Sequence, residues 1–147
     1  MTGANRVFLD TNLLMYAVIP ESPRYFHARG ILQRLEQSDA EAWVSRQVLR
    51  EFLAGMSRPQ VFAGGFSASD MLTAMLEYER QLFVAEDHAL VTEQLCLLIE
   101  KVPSGGKQIH DANIVATMLA FDIPQLITYN LDDFRRFSGL ISVSSEL

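Results

Sequence analysis

The sequence lacks most of the features that would assign its class at a glance. It contains one cysteine, Cys96, so no disulfide can form within the chain, as is usual in a reducing compartment. No apolar run approaches the roughly 20 residues that span a bilayer, and no apolar signal region precedes Val7. We therefore expect a soluble, cytoplasmic protein without membrane contact.

Positive charge is also scarce. Lys and Arg number 12 against 18 Asp and Glu, which gives a net charge of −6. A protein that coats nucleic acid without selectivity is expected to be basic. Any contact with nucleic acid must therefore use a local basic patch, or metal ions that offset the acids.

What the sequence does have is apolar residues in a regular order. With 147 residues, 49% of them hydrophobic, it fits one domain, residues 1–147, with a packed core. Short apolar runs typical of buried strands alternate with longer segments of helical periodicity. The runs are 7–9, 42–44, 82–84, 126–128 and 141–143, the last predicted as an edge strand. This alternation predicts an α/β domain with a parallel sheet and right-handed crossovers.

Individual positions give further expectations. Pro23 is predicted to begin the second helix, with Phe26 turned inward. Cys96, which lies among leucines of a later helix, is predicted to be a small buried core residue. Pro59 is predicted to end a helix, and residues 63–67 to form a loop.

Asp10 comes directly after the first apolar run, so it stands at the carboxyl end of a predicted buried strand. In open α/β sheets, ligands bind at that end of the strands. The informative residues elsewhere in the chain are therefore the acids that can join Asp10 there.

Asp111 and Glu51 are two such acids. On an ideal helix of about 100° per residue, Asp111 projects into the apolar arc of its helix. Because burial of a lone carboxylate is costly, Asp111, at the predicted start of its helix, is expected either to be a cap or first-turn acid favoured by the helix dipole or to bind a metal ion. Glu51 lies about 60° outside the apolar arc of its own helix, where it is either solvated or leans over the sheet.

The fourth predicted strand is followed by Asn130, Asp132 and Asp133, much as the first is followed by Asp10. Each of the three can reach a common crevice. The alternative is an Asx turn with an N-cap, which Asn130 and Asp132 would serve.

Acids from these segments are expected to meet at one edge of the sheet. Carboxylates at close range raise each other's pKa unless a cation lies among them. Carboxylate oxygens without a cysteine or histidine cluster favour a hard cation, Mg²⁺ or Mn²⁺. Such an ion also binds phosphate oxygens, and the pattern therefore points to metal-assisted phosphodiester hydrolysis.

Four segments carry a family resemblance that extends from about Val7 to Val143. They are FLDTN at 8–12, VLREF at 48–52, HDANIVA at 110–116 and LITYNLDDF at 126–134. In this order and in these elements they resemble the PIN-domain ribonucleases, most closely the VapC-type toxins of bacterial toxin–antitoxin pairs. The resemblance implies a three-layer α/β/α sandwich with a short, mainly parallel central sheet. It also implies Mg²⁺- or Mn²⁺-dependent endonucleolytic cleavage of RNA.

The resemblance assigns roles by matching position. The catalytic acids would be Asp10, Glu51, Asp111 and Asp133, of which Asp10 and Asp111 bind the metal. Asp132 is the competitor of Asp133 for the fourth place. The residues that support the acids would be Thr11, Asn12, Asn130 and Asp132.

Contacts and partners complete the expectation. Arg135 and Arg136, beside Asp133, are the preferred RNA contacts, with Lys107 a third. Toxins of this kind usually pair with a small antitoxin and form homodimers, so the resemblance implies both. The alternative is a PIN-like module that binds RNA or protein with little or no catalysis, which Asn130 leaves open because many family members have an acid there.

Overall fold

The computed structural model describes residues 5–147. The strands are β1 (Arg6–Leu9), β2 (Glu41–Ser45), β3 (Phe83–Ala85), β4 (Gln125–Ile127) and β5 (Ser142–Ser144). The helices are α1 (Thr11–Tyr16), α2 (Tyr25–Glu36), α3 (Arg46–Met56), α4 (Pro59–Ala63), α5 (Ala68–Gln81), α6 (Ala89–Lys101), α7 (Gln108–Ala120) and α8 (Leu131–Phe134). A 3₁₀ turn, Arg135–Phe137, follows α8.

The five strands form one sheet in the order β3-β2-β1-β4-β5, and every neighbouring pair is parallel. The chain moves outward from β1 to β3, then crosses back to β4 and continues to β5. Right-handed crossovers therefore put α1 to α5 on one face and α6 to α8 on the other. The packing agrees, because α1 and α5 contact α3 whereas α7 contacts α6 and α8. The predicted three-layer α/β/α sandwich is confirmed, with a wholly parallel sheet.

The central strand explains why the sheet organises the domain. Val7, Phe8 and Leu9 of β1 are buried on both faces, as expected of a strand with neighbours on either side and helices above and below. Backbone N–H of Asp10 donates to the carbonyl of Ile127 at 3.1 Å, so the pairing of β1 with β4 continues into the residue that follows β1. This pairing fixes the backbone of Asp10 at the carboxyl edge of the sheet.

Several local predictions were wrong. The helix α2 begins at Tyr25 rather than Pro23, and Phe26 is 84% exposed because it lies on the solvent side of the first turn. Cys96 is exposed as well, so the leucines around it do not all face the core. The prediction that a helix ends before Pro59 is confirmed, since α3 ends at Met56, but the short helix α4, which Pro59 begins at its first position and which extends to Ala63, was not predicted.

Two further observations concern the helices. The N-cap of α5 is Ser67, one of two serines that suit that position, and Asp70 completes a capping box with it. Within residues 5–147, no helix combines the length and the apolar character that crossing a bilayer would require.

Candidate active site

Asp10 is the most deeply placed acid of the chain, with 6% of its surface exposed. Its Oδ1 accepts a hydrogen bond from the backbone N–H of Thr11 at 2.8 Å. Its Oδ2 accepts from the Thr128 hydroxyl at 2.7 Å and from the Asn12 side-chain amide at 3.4 Å. The carboxylate is therefore held in one orientation by groups on both β1–α1 and the end of β4.

Burial raises the pKa of the Asp10 carboxyl above its ordinary value, and the negative charges of Glu51 and Asp133 raise it further. The hydrogen bonds from Thr128 and Thr11 act in the opposite direction because they favour the charged form. The upward effects prevail. Asp10 is thus held in place by the fold, but its negative charge is not compensated.

Glu51 leans over the edge of the sheet, one of the two positions that the helical projection allowed. The Thr11 hydroxyl donates to its Oε2 at 3.1 Å, and the Gln47 side-chain amide donates to its Oε1 at 2.9 Å. Both carboxylate oxygens are therefore anchored, while the residue remains partly exposed.

Asp111 lies in the first turn of α7 and does not cap it. The helix begins three residues earlier than predicted, at Gln108, and no side chain caps its N-terminus. Burial raises the pKa of Asp111 to about 6, with further upward contributions from the charges of Asp133, Asp10 and Glu51. The first-turn position expected for Asp111 is therefore confirmed and the capping role is not, and the charges of the other three acids act on its carboxyl.

Asp133 and Asp132 differ in what surrounds them. Asp133 is exposed, yet its charge raises the pKa of both Asp10 and Asp111. Asp132 points outward and forms an ion pair with Arg135 on the surface. The electrostatic contributions therefore link Asp133, and not Asp132, to the two acids.

The N-cap interpretation of Asn130 fails because its side chain makes no capping hydrogen bond to α8. Its backbone N–H instead donates to the Thr128 hydroxyl at 3.0 Å, the same hydroxyl that donates to Asp10. Asn12 ties the same turn to α1, since its Oδ1 accepts from the backbone N–H of Tyr129 at 3.3 Å. Asn12 and Asn130 thus contribute to the turn that presents Thr128.

Two polar residues near the acids were missed by the sequence analysis. Thr128 was treated only as the last residue of a strand, although a polar side chain at that point was itself a signal. Gln47 is 8% exposed and buried between α3 and the start of α7, one turn before Glu51. The signal in the sequence was the spacing of Gln47 and Glu51. Residues four positions apart lie on the same face of a helix, so the two polar side chains can bond to each other.

The basic residues also separate into two kinds. Arg136 is partly buried, lowers the pKa of Asp111 through its charge and donates to the carbonyl of Gln108 at 3.3 Å. Arg135 is exposed and paired with Asp132. Lys107 is exposed immediately before α7. Arg136 is thus the basic side chain that is electrostatically linked to the acid crevice.

The donor chemistry of the four acids suits a hard divalent cation, because all the candidate ligands are carboxylate oxygens and their charges are uncompensated. In the arrangement described for residues 5–147, however, no three Asp, Glu, His or Cys side chains converge closely enough to hold an ion. An ion would therefore have to draw the more exposed acids, Asp111 and Asp133, towards the fixed Asp10.

A family model for the PIN domain matches residues 7–140, which is most of the chain. The chain belongs to the PIN-domain family. This membership supports nuclease activity for the PIN domain described here. Among curated proteins, no significant match to the sequence was found.

Solved structures agree with the fold of the PIN domain. VapBC2 from Rickettsia felis, bound to a DNA fragment from its promoter, superposes with a TM-score of 0.71 at 20% identity, covering 95% of this chain and 98% of that chain. DNA-bound VapBC from Salmonella typhimurium gives a TM-score of 0.65 at 18% identity, with 97% of each chain covered. VapC20 from Mycobacterium tuberculosis, a toxin that cleaves the sarcin–ricin loop, gives 0.64 at 17% identity, covering 88% and 93%.

Proposed function

We propose that this PIN domain is a metal-dependent endoribonuclease and the toxin of a toxin–antitoxin pair. The observation that carries the proposal is the mutual effect of four acids from four distant segments. Asp10 and Asp111 both have raised pKa values, and Asp133 and Glu51 contribute to each shift. Such a group of acids is unfavourable for folding alone and becomes favourable when a cation binds.

In this proposal Asp10 and Asp111 hold Mg²⁺ or Mn²⁺, with Asp133 as a further ligand or water-orienting acid. When bound, the ion supplies Lewis-acid polarisation of the scissile phosphate and lowers the pKa of a water. Asp10 is suited to be the fixed ligand because three donors already determine its orientation. Asp133 has room to adjust because it is exposed.

Glu51 is proposed to orient the attacking water and to accept its proton. Thr11 and Gln47 each donate to one of its oxygens, which fixes the plane of the carboxylate. Each carboxylate oxygen has two lone pairs, so one site on each oxygen remains available for the water. The fixed plane is what a general base needs to meet a proton at hydrogen-bonding distance.

Arg136 is the best candidate for a contact with the RNA backbone. Its Nε is buried and donates to no acceptor within residues 5–147, while its guanidinium lies over the Phe137 ring at 4.6 Å. A phosphate oxygen entering beside Asp111 would lie close to the positive charge of this guanidinium, which already acts on Asp111. Lys107 is a second, more exposed candidate, whereas Arg135 is already paired with Asp132.

The proposed partners are a small antitoxin and a second copy of the chain, in the cytoplasm. The support is the likeness to VapBC assemblies from several bacteria and to VapC20, described as cleaving the sarcin–ricin loop. The proposed substrate class is accordingly RNA, single-stranded or structured.

The test is cleavage of a mixed RNA pool by purified protein in Mg²⁺ or Mn²⁺, compared with EDTA. The inactive control is Asp10→Asn and the matched surface control is Asp132→Asn, since both replace one aspartate by its amide. Cleavage that needs the metal, persists in Asp132→Asn and disappears in Asp10→Asn supports the proposal. Folded protein free of antitoxin that cuts no RNA would contradict it.

A second candidate function is binding of RNA or protein with little or no catalysis. The observations that favour it are Asn130 at a position where an acid is common and the absence, within residues 5–147, of three preassembled metal ligands. This candidate predicts that RNA binds with the same affinity to wild type and to Asp10→Asn, and that neither protein cuts it.

A further inference from the structure

A buried amide connects two of the helices that carry acids. Gln47 lies on α3 with 8% of its surface exposed. Its Nε2 donates to Glu51 Oε1 on the same helix and to the backbone carbonyl of His110 on α7, both at 2.9 Å. Its Oε1 accepts from the side-chain amide of Asn113 at 2.7 Å, also on α7. One side chain thus contacts Glu51 and the residue directly before Asp111.

The hydrogen-bonding capacity of this amide permits only one orientation. An amide nitrogen has two N–H donors, and both are used, one on Glu51 and one on His110. A flipped amide would turn its oxygen towards two acceptors and its nitrogen towards the Asn113 donor, losing all three bonds. Gln47 is therefore a fixed spacer between α3 and α7.

This network goes beyond what a core residue at that position would need. An apolar side chain would fill the same space between α3 and α7 without requiring any partner, and a buried amide is tolerated only when fully hydrogen-bonded. Its bonds are directed at the one acid of α3 that faces the crevice and at the backbone next to the one acid of α7 that does so. The geometry suits a role in spacing those two acids.

We propose that Gln47 is a positioning residue, which orients Glu51 and sets the separation of Glu51 from Asp111 across the metal site. This inference rests on the proposed nuclease function. In this proposal Gln47 acts through its contacts with Glu51 and with the backbone of α7, and not by binding substrate or metal itself. Thr11, which donates to the other oxygen of Glu51, provides the second half of the same restraint.

The test compares Gln47→Met, which keeps the length of the side chain and removes its hydrogen bonds, with Gln47→Asn, which keeps the amide but is too short to reach. The readouts are Mn²⁺ affinity, followed by the electron paramagnetic resonance signal of free Mn²⁺, and RNA cleavage. Loss of a residue that supports a metal ligand typically lowers metal affinity or activity by about 10–100-fold. We expect about tenfold weaker Mn²⁺ binding and a lower kcat in both variants, with KM for RNA unchanged.

A matched control separates positioning from general stability. Tyr78 on α5 is 7% exposed and donates one buried hydrogen bond to the carbonyl of Leu14, apart from the acids. Tyr78→Phe removes that bond, so we expect a lower melting temperature with unchanged Mn²⁺ affinity. Circular dichroism establishes that each variant is folded at the temperature of the binding assay.

A double-mutant cycle then tests the route of the effect. If Gln47 orients Glu51, then adding Gln47→Met to Glu51→Gln lowers kcat by much less than it does in the wild type, because Glu51 is the group through which it acts on the chemical step. Equal losses in both backgrounds, or folded Gln47 variants with wild-type Mn²⁺ affinity and kcat, would overturn the inference. Failure of the proposed function has a different signature, because it appears in the wild type as an absence of metal-dependent cleavage.

Discussion

The two sides of the acid crevice are built in different ways. On one side, Asp10 is buried and held by three hydrogen-bond donors. On the other, Asp133 is exposed on the short helix α8, and its neighbour Asp132 faces solvent. The first side is part of the folded core, whereas the second is attached to it by one turn of helix. We name them the anchored side and the exposed side.

The comparison teaches how a site of like charges can persist in a stable fold. The anchored side supplies hydrogen bonds that partly offset the cost of a buried carboxylate, yet the pKa of Asp10 stays raised. The exposed side keeps its acid in water, where a charge costs little. The repulsion is therefore concentrated on Asp10 and Asp111, and a cation there would relieve it.

The largest expected effect is that of removing the charge on the anchored side. Asp10→Asn should lower the rate of RNA cleavage by about 1,000-fold, because the fixed metal ligand is lost. The same variant should remain folded in EDTA, because loss of the buried charge offsets the acceptor oxygen that the amide no longer presents to the donors around it. The measurements are a cleavage time course and a thermal melt. A folded variant that keeps the wild-type cleavage rate would contradict the assignment of Asp10.

The next effect distinguishes the two aspartates of the exposed side. Asp133→Asn should reduce cleavage by about 100-fold, because its charge acts on Asp10 and Asp111. Asp132→Asn removes an equal charge one residue away and should leave the rate within about twofold, since an exposed ion pair contributes little. The measurement is the cleavage rate of each variant at saturating Mg²⁺. A larger loss in Asp132→Asn than in Asp133→Asn would make Asp132 the fourth acid.

A smaller effect is expected for the arginines next to the crevice. Arg136→Ala should weaken binding of a short RNA by about tenfold and reduce the slope of log affinity against log salt by about one unit. Arg135→Ala should leave both nearly unchanged because that side chain is paired with Asp132. Fluorescence anisotropy in the Asp10→Asn background avoids cleavage during the titration. Equal losses of RNA affinity in Arg136→Ala and Arg135→Ala would contradict the assignment of Arg136 as the RNA contact.

The smallest effect concerns stability against pH. Burial and neighbouring charges raise the pKa of Asp111 from 3.8 to about 6, so the metal-free folded chain keeps a proton that the unfolded chain has released. Because Asp111 is partly exposed and solvent screens its charge, the free energy of unfolding should fall by about 1 kcal/mol as the pH rises from about 4 to about 6. Asp111→Asn should lack this part of the fall in urea unfolding with EDTA. Identical pH profiles for the wild type and Asp111→Asn would show that the pKa of Asp111 is not raised in the folded chain.

The anchored side was the more predictable one. An acid that follows a buried strand stands at the carboxyl edge of a parallel sheet whatever the rest of the chain does, so the position of Asp10 could be predicted from sequence. The neighbouring role of Thr128 could not, because its hydroxyl matters only once β1 and β4 are paired. Strand pairing between residues more than 100 positions apart leaves no local trace.

The exposed side was harder to predict for a different reason. Asp132 and Asp133 are adjacent, and on a helix a shift of one residue rotates a side chain by about 100°. The choice between them depends on where α8 begins, and helix boundaries follow from tertiary packing as well as from sequence. The predictions that Phe26 and Cys96 are buried were wrong for a similar reason. An apolar residue type indicates a preference for burial, but it does not identify which face of a helix is covered.

Gln47 was harder to predict than either side. On the helical projection it lies almost opposite the apolar arc of α3, and its place one turn before Glu51 on the same face was the only indication of a role. Two of the three groups that satisfy its amide lie on α7, at sequence separations of 63 and 66, and only the fold brings them together.

The most direct test of the four-acid site is a crystal of the protein soaked in Mn²⁺ and measured at the manganese absorption edge. We predict an anomalous peak at the carboxyl edge of the sheet, with oxygens of Asp10 and Asp111 as ligands, Asp133 drawn towards the ion, and Asp132 still facing solvent. The peak should be absent from crystals of Asp10→Asn. A fully occupied Mn²⁺ site elsewhere, with no density between Asp10 and Asp111, would contradict the account.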